Sequence, residues 1–132
     1  MNLKEFNKVV NNRIKQSKEV LVLKGKEYST SVNRFHNFEV AARIADETRE
    51  QALMGMAMKH IVSIMDIIND TADDKYASAE VIDEKLGDMI NYLILLEGML
   101  IENSLKQSPY VQNLNKGINQ KQEVKATNVQ TN

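Results

Sequence analysis

The chain has 132 residues, a formal net charge of −1, 42% hydrophobic and 27% charged residues, and no cysteine. That length fits one domain with a modest core. The missing cysteines exclude disulfide scaffolds, thiolate metal centres and cysteine nucleophiles, and they suit a reducing cytoplasm. No apolar run approaches the roughly 18 residues that span a bilayer, and the start at Met1 lacks the apolar core of a signal peptide, so no membrane is expected. Charge is uneven along the chain. Residues 1–34 carry eight basic and three acidic groups, residues 35–104 five and fourteen, and residues 105–132 four and one. The acidic middle argues against wrapping an extended nucleic acid and suits either a metal-assisted site or a solvated acidic face.

The first predicted helix covers Leu3 to Leu23, with Phe6, Val9, Val10, Ile14 and Val20 to Leu23 as its apolar positions. Gly25 is its expected stop, and Lys26 to Asn33 reads as a polar loop. A second helix is predicted over Arg34 to Ala45, with Phe35, Phe38, Ala41, Ala42 and Ile44 inward. Thr48 followed by Gln51 is a capping-box pattern that opens a third helix, running to Asn69. Its seam is Met54, Met58, Ile61, Met65 and Ile68, spaced 4, 3, 4, 3.

The acidic stretch 69–74 ends that helix, and Ser78 caps a fourth, predicted to run to Glu102. Here Ile82, Leu86, Met89, Leu93, Leu96 and Leu100 recur at 4, 3, 4, 3, 4, while Ile90, Ile94, Leu95 and Ile101 widen the apolar surface. Three neighbours in so small a chain do not cover such a helix. The expected fold is therefore an all-α four-helix bundle over residues 1–104, completed by homo-oligomerisation. Residues 105–132 hold five Asn, five Gln and the sole proline, and are expected to form a flexible polar tail.

Three groups of residues carry potential chemistry. Glu84, Asp88 and Asn91 lie at i, i+4 and i+7, so an otherwise greasy helix presents two carboxylates and an amide on one face. Carboxylates beside a core need a partner, whether a metal, a ligand or a basic residue. The loop with Lys24, Gly25, Lys26, Glu27, Tyr28 and Ser31, followed by Arg34 and His36, supplies cations for phosphate, a glycine for close approach and an aromatic ring for stacking. It lacks the spacing of a Walker loop.

On the third helix, Lys59, Ser63, Asp66 and Asp70 form a polar stripe. Antiparallel pairing of the third and fourth helices would bring Asp66 toward Glu84 and Asp88. Together with Glu27 these acids would suit Mg²⁺. The alternative is a structural network pairing Lys59 with Asp66, or Lys85 with Asp83. His36 and His60 are too isolated for a zinc site, and each is either a phosphate donor, a general base or a packed histidine. No nucleophilic triad is visible.

Two stretches resemble a known pattern. Lys24-Gly25-Lys26-Glu27-Tyr28-Ser29-Thr30-Ser31 resembles the opening motif of the nucleotide-modification-associated all-α domain common in phage genomes. Glu84-Lys85-Leu86-Gly87-Asp88-Met89-Ile90-Asn91-Tyr92 resembles that family's later helix. The same helix is similar to a segment of MazG-type and dimeric dUTPase-like nucleotide pyrophosphohydrolases.

The resemblance implies a nucleotide-binding protein that cleaves a nucleoside triphosphate with Mg²⁺. Asp88 would be a metal ligand, Asn91 and Tyr92 pocket residues, and Glu27 and Tyr28 loop residues. In the enzymatic reading Glu27, Asp66, Glu84 and Asp88 hold the metal, and Asp66, Glu84 and Asp88 are the catalytic acids. Lys24, Lys26, Ser31, Arg34, His36, Lys59 and His60 would then contact the ligand. Departures bear on catalysis rather than binding. Lys85 stands where MazG-type enzymes place a glutamate, and Lys59, His60 and Asp66 stand where their acidic pair would be. Two rivals follow: a protein that sequesters a nucleotide or cyclic nucleotide without turnover, as in phage counter-defence, and an adaptor gripping a host protein.

Overall fold

The computed structural model describes residues 1–23, 25 and 33–109. The described residues are all-α, and none of them is in a strand. They form α1 (Leu3–Lys18), continued by a π-turn (Glu19–Leu23), then α2 (His36–Ala45), α3 (Arg49–Asp70), a short 3₁₀ turn (Thr71–Asp73) and α4 (Ala79–Gln107). The chain divides into two compact units, Met1–Leu96 and Glu97–Asn132, with the division inside α4.

In the first unit the helix starts are locally encoded. Asn2 accepts from the Glu5 amide while the Glu5 carboxylate accepts from the Asn2 amide, satisfying two orphan donors of α1. Thr48 and Gln51 form the same reciprocal box at α3, as expected. Ser78 caps α4: its hydroxyl accepts from the Val81 amide. α2 starts differently. The Asn33 carboxamide oxygen accepts from the Phe35 amide and its nitrogen donates to Glu39, so both flanks of Arg34 are pinned. Asp46 and Asp74, both left-handed with φ 55 and 56, stop α2 and the 3₁₀ turn.

The closest packing joins α2 to α3. Ala42, Ala52, Leu53 and Ala57 are buried there, and three small side chains let the backbones approach. Arg49 ties the corner, lying 5.2 Å from the Phe35 ring centroid and 3.4 Å from Glu39. Ile44, expected inward, is 83% exposed. It follows Ala42 by two residues, about 200° around the helix, and so points away from α3.

α1 meets α4 through polar groups. Arg13 donates to both the carboxylate and the main-chain carbonyl of Asp83, and Gln16 donates to the other carboxylate oxygen. The Arg13 guanidinium lies directly over Gly87, where any side chain would displace it. This overturns the Lys85–Asp83 alternative: Lys85 donates to Glu84 instead. Residues two apart on a helix do not share a face.

Much of the expected core faces outward. On α3, Met58, Met65 and Ile68 are exposed, and on α4 so are Ile82, Leu86 and Leu93. The span Arg49–Asp73 is long and apolar enough to cross a membrane by length and composition alone, and 22% of its most apolar window is buried. No run of that kind was expected, because Lys59 and Asp66 interrupt it.

In the second unit α4 continues to Gln107, five residues past its expected end at Glu102. A Glu102–Lys106 pair at i, i+4 supports the extension, with the lysine at the favourable end of the helix dipole. Met99 is fully buried. Tyr110, Val111 and Leu114, which were expected to belong to a flexible tail, lie outside the described residues.

Candidate functional site

A cavity in the first unit has a volume of about 400 Å³. One wall comes from the π-turn through Val20 and Leu21. A second comes from Gly25, Arg34, Asn37 and Phe38, a third from Met56 of α3, and the last from Asp88, Asn91, Tyr92 and Leu95 of α4. The volume suits one small organic ligand, and the lining is apolar with a few polar groups, the usual composition of such a site.

Two of those polar groups are unpaired. The Asn91 carboxamide oxygen is buried and accepts no hydrogen bond. A buried acceptor left unmatched costs about 1–3 kcal/mol, so its position asks for a donor. Among the described residues Arg34 makes no hydrogen bond or ion pair, and its guanidinium packs 3.1 Å from where a Cβ on Gly25 would stand. Gly25 therefore admits the arginine, while the bonds of Asn33 hold the backbone that carries it.

Behind this wall lies His60, 8% exposed. Its Nδ1 is 3.5 Å from the Asp88 carboxylate, and its ring centroid is 5.3 Å from that of Tyr92. Burial, then the Asp88 charge, hold the Tyr92 phenol above its ordinary pKa. The three side chains form one packed wall, with the Asp88 carboxylate beside the imidazole.

A smaller cavity of about 240 Å³ lies beside it, lined by Arg13, Gln16, Glu19, Val20, Asp83, Glu84, Gly87, Asp88 and Asn91. The Gln16 carboxamide oxygen is likewise buried and unpaired. Glu84 is exposed here. Its carboxyl sits below its ordinary pKa because of the hydrogen bond from Lys85 and then the charge of Lys85, with burial opposing and the charge of His60 adding last to the lowering.

Arg34, Asp88, Asn91 and Tyr92, all named from sequence, thus meet at one cavity, with His60 against two of them. Glu84 belongs to the neighbouring cavity. Lys59 and Asp66 are exposed on α3 and His36 is half-buried at the start of α2; none of the three lines either cavity. Among the described residues, no three acids or histidines converge as a metal site requires. Lys24, Lys26, Glu27, Tyr28 and Ser31 lie outside the described residues.

Sequence reasoning missed Asn37, Phe38, Met56 and Leu95 as lining, and missed the Arg13–Gly87 crossing altogether. Its one local signal was a glycine amid a strong helix, which marks a close approach. No protein-family model matches the chain, and no curated protein and no solved structure matches it.

Proposed function

We propose that this chain binds a nucleotide in the 400 Å³ cavity, with the base against Phe38, Met56 and Leu95 and the phosphates toward Arg34. The observation that carries this reading is the pairing of two unmatched groups at the cavity wall: the Asn91 oxygen and the Arg34 guanidinium. An N–H edge of a base supplies the donor that Asn91 lacks. A phosphate matches the planar fork of the arginine, which binds such oxyanions through two parallel hydrogen bonds. Tyr92 offers an aromatic edge beside them. The resemblance of the loop and of the α4 motif to phage-type nucleotide-handling domains supports the same assignment.

Capture without turnover is the version the described residues favour. Of the acids that the resemblance assigns to Mg²⁺, Glu84 is engaged by Lys85, Asp88 lies against His60, Asp66 is exposed on α3 and Glu27 lies outside the described residues, an arrangement that supports capture over metal-assisted turnover. A hydrolytic version has one observation in its favour, the His60–Asp88 pair, which could accept a proton from water.

A thermal-shift screen across nucleoside mono-, di- and triphosphates and cyclic dinucleotides tests the reading. At least one nucleotide should raise the melting temperature. Arg34→Ala and Asn91→Leu should each erase that rise, and Asn91→Leu should leave the unliganded protein as stable or more stable. No shift with any nucleotide would overturn the proposal. Intact nucleotide recovered after denaturation supports capture, and pyrophosphate release supports hydrolysis.

A further inference from the structure

The described part of the first unit buries few large apolar side chains while exposing many. Only Leu53 is both large and fully buried there, whereas Leu3, Phe6, Val9, Val10, Ile14, Ile82, Leu86, Leu93 and Ile94 are all exposed. Ile14 and Ile94 line the cleft between α1 and α4, and the other seven fall on two surfaces. Every residue from Met1 to Asn12 is exposed, so the first two and a half turns of α1 stand clear of the described chain. Their apolar side chains Phe6, Val9 and Val10 lie on the helix face that, further along, brings Arg13 and Ser17 against α4. The covered half of this face thus continues into a bare half. An isolated helix of that length is marginal in water, so its apolar face needs a cover.

The second surface is the α4 seam. Asp83, Gly87 and Ile90 of α4 face α1, while Asp88, Tyr92 and Leu95 face the cavity shared with α3. Ile82, Leu86 and Leu93 lie on the remaining face, about 90° from the first set and about 130° from the second. Their intervals of four and seven residues form one stripe, as a helix packed along another helix presents.

We infer that the occupant of both surfaces is a second copy of this chain. The projecting half of each α1 lies along the α4 seam of the other copy in a two-fold arrangement. Two-fold pairing lets each copy cover the other's bare half-helix with the same pair of surfaces. Size matches: the seven exposed side chains at on the order of 100 Å² each give roughly 700 Å² per copy, within the range of specific interfaces. The inference is independent of any ligand in the cavity.

Light scattering coupled to size exclusion tests it. The wild-type chain should elute at twice its mass, and Leu86→Lys with Leu93→Lys, or Phe6→Lys with Val10→Lys, should return it to a single copy with unchanged helicity. A single-copy wild-type mass, a mass above two copies, or a dimer that survives both double variants would each overturn the proposal. Because such variants can also unfold the chain, a second experiment leaves the interface intact. The protein has no cysteine, so Asn7→Cys and Ala79→Cys proteins, altered at exposed positions flanking the two surfaces, can be purified separately, mixed and treated with a short bismaleimide. A cross-linked pair containing one of each supports the arrangement; its absence from a mixture shown to be dimeric overturns it.

Discussion

The α2–α3 corner and the α1–α4 crossing are built on opposite terms. At the corner, Ala42, Ala52 and Ala57 remove bulk, Leu53 fills what remains, and Arg49 closes the outside over Phe35. At the crossing the contact runs through Arg13, Gln16 and Asp83, and three polar atoms (Gln16 Oε1, Ser17 Oγ and Asn91 Oδ1) are buried without partners. The cavities lie along the second region. Small apolar residues produce closure and hence rigidity. Polar residues in a half-dry seam hold the helices apart and leave groups that a ligand can satisfy. Stability and binding capacity are thus separated in space.

The largest expected effect tests the closed region. Leu53→Ala should destabilise the protein by about 2–5 kcal/mol in urea unfolding, as for other fully buried leucines. The same truncation at half-buried Ile90, on the crossing, should lose clearly less; equal losses would erase the distinction.

A smaller effect tests the crossing. Gly87→Ala gains about 1 kcal/mol of helix propensity but displaces Arg13 from its carbonyl and carboxylate partners, charged hydrogen bonds of about 1.5–3 kcal/mol. The net should be a loss of about 1 kcal/mol. A gain would mean that Arg13 contributes little to holding the two helices.

The smallest effect appears only in alkali. Tyr92 is held above its ordinary value of 10.0, first by burial and then by Asp88. The folded state therefore keeps this proton longer than the unfolded chain. The stabilisation is complete below about pH 10 and is lost as pH rises through the folded value. Tyr92→Phe should flatten stability above pH 10 while leaving it nearly unchanged at pH 7. An unaltered alkaline slope would place Tyr92 in open solvent.

How much of this was legible beforehand depends on the range of the interaction. Thr48 with Gln51, Ser78 and the apolar spacings fix the helices within a few residues, because caps and periodicity act over four or five positions. The grouping of Asp88, Asn91 and Tyr92 was legible for the same reason: polar groups one helical turn apart on an apolar helix share a region. Burial was not. Ile82, Leu86 and Leu93 read as core, since spacing reveals a stripe but not which chain covers it. The Arg13–Asp83 contact spans 70 residues, and nothing local in either segment specifies the other.

The π-turn at Glu19–Leu23 sets a constraint on how this chain can vary. A π-turn is an α-helix carrying one surplus residue, which shifts everything after it by about a quarter turn. Val20 and Leu21 owe their place in the cavity wall to that surplus. Removing a single residue between Lys18 and Gly25 would restore the regular coil and swing this wall aside, whereas exchanging one aliphatic residue for another would not. Length in this short segment is therefore fixed more tightly than composition.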